Sequence, residues 1–272
     1  MRGMENLSDA LVHRPGSKSS LRKFDADETH GFDKPEAVER LRKNVDRLSL
    51  LQYRLYAEAK RSVLVVLQGI DAAGKDGVIR HVISGLNPQG VTVTPFKVPE
   101  GEERRHDYLW RVHKAVPEWG HLGIFNRSHY EEVLVVRVHN LVPKKVWRAR
   151  YQEIDDFERM LSGNNVVIVK FLLMISKEEQ AERFRERIED KTKNWKFSEQ
   201  DIKEREYWDE YLAAFDDMLE KCSTDWAPWY VIPANRKWFR NVAVSEILCN
   251  TLENMKLEYP KAVSDLSKIT FE

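Results

Sequence analysis

The sequence has almost no cysteine, no surplus of charge and no apolar run longer than a strand. Two thiols, Cys222 and Cys249, among 272 residues are too few for a disulfide scaffold and have no metal-ligand spacing. Both fall in helical-looking stretches, where a buried free thiol is expected. The apolar runs are too short to span a bilayer and the N-terminus lacks a signal peptide's apolar stretch, so no membrane partner is expected and the cytoplasm is the default compartment. Lys+Arg number 44 and Asp+Glu 44, for a net charge of zero, which removes any bulk attraction to nucleic acid. Gly-x-Gly-x-x-Gly, His-Glu-x-x-His and Gly-x-Ser-x-Gly are also missing, which disfavours the enzyme classes built on them.

What is present can fold. Apolar residues make up 42% of the chain and charged residues 32%, above the charged fraction of about a quarter usual in soluble domains. Residues 1–34 are polar and read as an arm. After Pro35, Val38, Leu41, Val45, Leu48 and Leu55 form one apolar helical stripe, expected to pack on a sheet. Continuous apolar runs at 62–68, 91–94, 122–125, 166–173 and 229–232 read as strands buried on both faces. Helical stretches separate them. One is 101–116, with Leu109, Val112 and Val116 on one face; another opens at Ser198 and carries Trp208, Tyr211, Leu212, Phe215 and Leu219. This alternation predicts an α/β fold, a five-stranded parallel sheet covered by helices on both sides, in a single domain over 35–272.

Directly after the first buried strand stands Gly69-Ile-Asp71-Ala72-Ala73-Gly74-Lys75-Asp76. Gly-x-x-x-x-Gly-Lys is the P-loop (Walker A) spacing: backbone N–H groups curl around a phosphate at a helix N-terminus, and Lys75 reaches the outer phosphates. Asp76 occupies the place where Ser or Thr usually holds magnesium. It either contacts the phosphate site or complements the helix dipole. Asp71, inside the loop, is the metal-ligand candidate, because Mg²⁺ prefers oxygen donors.

Two further constellations suit phosphate chemistry. The strand at 122–125 runs into Asn126-Arg127-Ser128-His129-Tyr130-Glu131, which would place Arg127 beside the loop to neutralise a phosphoryl group in transit. Ser128 and Glu131 also read as a capping box. Between the last two strands, Arg183, Arg187 and Lys191 recur every four residues, with Lys193 and Lys196 following and Phe184 and Ile188 as anchors. That segment, within 177–210, reads as a lid over phosphates. Arg80 lies about one turn beyond the loop, and Arg104 and Arg111 share a helix face.

Taken together, GIDAAGKDG at 69–77, FNRSHYE at 125–131, NWKFS at 194–198 and PWYVIPAN at 228–235 resemble the type 2 polyphosphate kinases over nearly the whole chain. The resemblance implies a three-layer P-loop kinase fold similar to thymidylate kinase, with a helical lid. It implies phosphoryl transfer between inorganic polyphosphate and AMP, ADP and ATP. Asp71 and Lys75 would stand at the transferred phosphate with Arg127, and Mg²⁺ (or Mn²⁺) would sit on Asp71. Asn126 would assist through a water; many members carry aspartate there. The loop residues and the basic lid would bind polyphosphate. The acceptor nucleotide is expected against Arg104, Arg111, Asn126, Ser128, Tyr130 and Glu131. A homo-oligomer, dimer or tetramer, is expected. The alternatives are an ATP-dependent nucleoside or nucleotide kinase, and a binding protein with weak turnover.

Overall fold

The computed structural model describes residues 6–262. Its centre is a six-stranded sheet in the order β1-β6-β5-β2-β4-β3. The strands are β1 (Val12–His13), β2 (Ser62–Gln68), β3 (Val91–Pro95), β4 (Leu122–Asn126), β5 (Val166–Met174) and β6 (Trp229–Pro233). Strands β2 to β6 are the five expected from the apolar runs, and all their pairings are parallel. The sixth corrects the count: β1 pairs antiparallel with β6, Val12 opposite Tyr230 and His13 opposite Trp229. Two residues are too few to give an alternation or an apolar run, so this strand leaves no periodic signal.

The helices are α1 (Leu7–Leu11), α2 (Lys34–Glu58), α3 (Lys75–Val78), α4 (Trp110–Lys114), α5 (Val135–Val138), α6 (Lys144–Gly163), α7 (Lys177–Glu189), α8 (Glu199–Glu204), α9 (Trp208–Cys222) and α10 (Lys237–Asn254). Side chains of β2 alternate between two cores, as the pleat requires. Val63, Val65 and Leu67 meet α2, α3 and α10 on one face, while Leu64 and Val66 meet α6 and α9 on the other. The arm contributes Leu7, Leu11 and Phe32 to the first core. Helix α2 starts where Asp33 accepts a hydrogen bond from the Glu36 N–H, with Pro35 in its first turn. Its buried face runs through Ala37, Asn44, Leu48, Leu51 and Leu55, whereas Val38 points outward. Both thiols are buried and free. No helix among the described residues is long and apolar enough to cross a membrane.

Two helical expectations resolve into shorter pieces. Residues 101–116 hold a 3-10 turn at Gly101–Arg105 and the short α4. The helix expected from Ser198 is α8, capped by the Ser198 hydroxyl, then a 3-10 joint at Arg205–Tyr207, then α9.

Beneath the C-terminal end of β4 lies a fully buried polar network. Lys170 of β5 donates to Glu158 Oε2 at 2.5 Å, to the Tyr130 hydroxyl at 2.7 Å and to the Cys222 carbonyl at 2.7 Å. Tyr130 in turn donates to Glu158 Oε1 at 2.9 Å, and His129 Nε2 lies 3.1 Å from the same oxygen. A buried charge is tolerable when it is paired and hydrogen-bonded in this way. The network fastens the backbone immediately after Arg127.

Candidate active site

The loop from Gly69 to Gly74 leaves the C-terminal end of β2 and enters α3. Its backbone turns are left-handed at Ala72 (φ 66°) and Gly74 (φ 107°). Gly69 has φ 149°, and a Cβ there would stand 2.6 Å from the Leu173 carbonyl oxygen of β5, so only glycine lets the strands pass this closely. The first N–H groups of α3 have no intrahelical acceptor and suit an anion. The Lys75 ammonium is buried and donates to the carbonyls of Gly69 at 2.6 Å and Ile70 at 3.2 Å. Burial, with the Arg127 charge adding to it, pulls this ammonium down to about 8.

Helix α7 holds the loop from behind. Gln180 donates to the Asp71 carbonyl at 2.9 Å. Arg183 donates from Nη1 to the carbonyls of Ala72 and Ala73, from Nη2 to those of Ala234 and Asn235, and from Nε to Glu179. All five of its donors are thereby used. Arg183 therefore borders the channel as a clamp on the loop, with every donor already engaged by protein acceptors and none left over for the phosphate contact its spacing suggested. The helix rotates it inward beside the buried Phe184, while Ile188 is exposed.

Arg127 follows β4 in the left-handed region, φ 62°. Its Nη2 lies 2.5 Å from Asp71 Oδ1, and its Nη1 3.7 Å from Glu131 Oε2. Glu131 Oε1 accepts from Gln68 Nε2 at 3.0 Å. Asn126 donates through Nδ2 to Asp76 Oδ1 at 3.0 Å. Asp71, Asp76 and Asn126 all line the same channel, and their carboxylate and amide oxygens are the donor type a hard divalent cation takes. Among the described residues no group of three or more His, Cys, Asp or Glu is placed to hold a metal, so phosphate and water would complete its shell.

Two cavities adjoin here, and both are lined by Asp71 and Arg127. The larger is a basic channel bordered by Gly74, Lys75, Asp76, Lys97, Arg187, Lys193, Lys237 and Arg240. The other runs beneath α8 and α9 and is walled by Leu134, Val135, Trp208, Tyr211 and Phe215, with Gln68, Glu131 and Arg205 as polar groups. The aromatic wall and Arg240 were not assigned to the site from the sequence. The wall was legible there as an amphipathic helix face, and Arg240 as the single arginine of the last helix.

The remaining expected residues distribute unevenly. Ser128 and Tyr130 are fully buried: the Ser128 hydroxyl caps the turn by accepting from the Tyr130 N–H, and Tyr130 belongs to the network under β4. Neither reaches the site, which corrects their assignment to the nucleotide. Arg104 donates to the Pro99 carbonyl, and Arg111 to the Lys97 carbonyl and to Glu103. These bonds staple the 97–111 loop, and neither arginine lines either cavity. Arg80 lines a neighbouring groove between α3 and β3. Lys193 pairs with Asp190 at 2.7 Å and Arg187 with Asp201 at 3.7 Å, and both line the channel. Lys191 is exposed and borders neither cavity; the side chain of Lys196 lies outside the described residues.

The polyphosphate kinase 2 (PPK2) family model matches residues 31–260. The chain is 50% identical to the AMP/ADP-polyphosphate phosphotransferase of Meiothermus ruber, over 95% of this chain and 98% of that protein. It is 48% identical to the ADP-polyphosphate phosphotransferase of Rhodopseudomonas palustris, over 82% and 81% of the two chains. The crystal structure of polyphosphate kinase 2 from Arthrobacter aurescens superposes with a TM-score of 0.93 at 41% identity, covering 98% of this chain and 96% of that one. With its loop, its Asp71–Arg127 pair and its basic channel arranged on that fold, the chain belongs to the polyphosphate kinase 2 family.

Proposed function

We propose that the protein transfers phosphoryl groups between inorganic polyphosphate and adenine nucleotides, making ADP from AMP and ATP from ADP, on a P-loop kinase fold of the thymidylate-kinase type. The observation that carries the reading is the pair of cavities meeting at Asp71 and Arg127. Polyphosphate, a uniform polyanion, suits the basic channel. The aromatic pocket under α9 offers ring faces for a flat apolar base, and its free volume of about 40 Å³ means that α8 and α9 would have to move outward to admit a nucleoside. Such an arrangement brings a donor phosphate and an acceptor phosphate together from opposite sides, as in-line transfer requires.

The loop N–H groups and Lys75 would hold the transferring phosphate, and Arg127 would neutralise its charge as it moves. Glu131 and Asp71 keep Arg127 oriented before substrate arrives. Mg²⁺ or Mn²⁺, held by Asp71 with Asn126 through a water and by phosphate oxygens, would supply positive charge over the same group. The acceptor is already an ionised phosphate, so positioning and electrostatics carry the chemistry and no strong general base is needed. Dual use of AMP and ADP is favoured by the similarity to the Meiothermus ruber enzyme, whose name carries both acceptors.

The test supplies polyphosphate with AMP or ADP, a divalent cation and no ATP, and follows nucleotide products. Formation of ADP and ATP is expected. Absence of product alongside brisk ATP-driven phosphorylation of a monophosphate would sink this reading in favour of an ordinary nucleotide kinase.

A further inference from the structure

We propose that Arg240 is a substrate-binding residue that takes a phosphoryl group of the polyphosphate chain adjacent to the one held in the P-loop. The assignment rests on the polyphosphate reading of the basic channel and extends it by one subsite.

The guanidinium of Arg240 lies against the end of the phosphate loop and the first turn of α3. A Cβ on Gly74 would stand 1.8 Å from its Nη1, and a Cβ on Gly77 2.6 Å from its Nη2. Gly74 needs to be glycine for its left-handed φ in any case. Gly77 does not: it sits inside α3 with no positive φ, where glycine is a poor helix former. What its missing side chain provides is room for this guanidinium.

Arg240 is only 3% exposed, yet no carboxylate stands within ion-pair distance among the described residues. Its Nε and Nη2 share a single acceptor, Asn241 Oδ1, at 3.1 and 2.8 Å. Nη1, the atom nearest Gly74, donates to no group in the described structure. Four of the neighbouring cations differ. Arg127 faces Asp71, Arg187 faces Asp201, Lys193 faces Asp190 and Lys237 faces Glu186. A buried, hydrogen-bond-poor guanidinium without a counterion is costly, and burial together with the charge of Arg183 already pulls it down to about 10. Such a site is stable in a functional protein when an anion completes it. Because Arg240 and Asn241 line the channel beside Gly74 and Lys75, the anion that reaches them is one that also occupies the loop and extends past it. A linear phosphate chain does this.

Steady-state kinetics on the full chain, with Arg240→Met and Arg240→Lys, separates the possibilities. Loss of a charged hydrogen-bonding contact should raise the KM for polyphosphate about ten- to a hundredfold in Arg240→Met, less in Arg240→Lys, and leave the KM for ADP within about twofold. Thermal melts with one ligand at a time provide the second readout: polyphosphate alone should stabilise the wild type but not Arg240→Met, whereas ADP should stabilise both. If Arg240→Met does not fold, Gly77→Ala, which keeps the arginine but denies its seat, should raise the polyphosphate KM in the same selective way. An unchanged polyphosphate KM, a parallel rise in both KM values, or a retained polyphosphate shift would overturn the assignment while leaving the channel's reading intact. A wild type that neither turns over polyphosphate nor is stabilised by it would instead remove the reading itself.

Discussion

Arg127 Nη2 sits 2.5 Å from Asp71 Oδ1, and the two cavities of the site share this pair as a common wall. One residue comes from the loop after β2 and the other from the turn after β4, two strands that are hydrogen-bonded neighbours. Parallel register puts both turns at the same end of the sheet, so the pair forms wherever these strands do.

Arg127 combines a functional charge with a strained backbone, φ 62°. Replacing it with methionine should lower kcat by about a hundredfold or more, the scale of losing one preorganised donor at developing charge. Arg127→Gly should be as inactive yet lose less than about 1 kcal/mol of stability, since glycine relieves about 1–2 kcal/mol of left-handed strain. Thermal melts alongside turnover assays check the contrast; a large loss of stability in the glycine variant would refute the strain.

The Lys75 ammonium is pulled from 10.5 to about 8, chiefly by burial. A protonated Lys75 is needed to hold phosphate, so kcat/KM for polyphosphate should fall as pH rises through about 8. Stability should move the other way. A lowered pKa means the folded state resists protonation: the penalty is present in full below about 8 and disappears as pH climbs to 10.5. Lys75→Ala should abolish transfer, remain folded and lose this alkaline gain, measurable by denaturant melts across pH.

Trp208 and Tyr211 wall the pocket assigned to the nucleoside. Trp208→Ala should raise the KM for ADP about tenfold, the scale of one base–aromatic stack, without changing the KM for polyphosphate. Tyr211 donates to Glu204 at 3.0 Å, so Tyr211→Phe keeps the ring and should have a much smaller effect. A change in polyphosphate KM from either variant would argue against separate cavities for the two substrates.

Lys170→Met leaves Glu158 buried without its strongest partner and should cost about 3–5 kcal/mol. Burial raises the Glu158 carboxyl, but Lys170 and His129 outweigh it and hold the group below its usual range. Its stabilisation is therefore present above the ordinary carboxylate pKa and lost as pH falls through the lowered value. The double variant Lys170→Met with Glu158→Gln should recover much of the loss. Equal destabilisation in single and double variants, read by denaturant titration, would show that the charges are not coupled.

Much of the site was legible because it is local. The Gly69-to-Asp76 spacing specifies a loop whose atoms are contributed by consecutive residues, and Arg127 lies two residues past the apolar run at 122–125 that reads as a buried strand. The basic strip at 183–191 misled for an equally physical reason. Spacing by four puts residues on one helix face, but it does not say which face turns inward. Arg183 turned inward because two loop carbonyl groups and two beyond β6 needed donors, whereas Arg187, one turn later, keeps its guanidinium free of the loop at the channel wall. Ser128 and Tyr130 stand one and three residues from Arg127, yet the 3-10 turn at His129–Glu132 rotates them into the core.

The alternation of strands and helices, the phosphate loop and the placing of Arg127 are set by neighbours along the chain and are therefore written in the residue order. Tertiary structure decided what distant segments do to one another. The two-residue β1 forms because β6 offers it an edge. Arg240, distant from Gly74 along the chain, lies on the loop because α10 packs along α3. The channel collects cations from the β2, β3, β4 and α7 regions and from α10, although over the whole chain acids cancel them. Charge adds over the sequence but acts over distance, and distance is fixed by the fold.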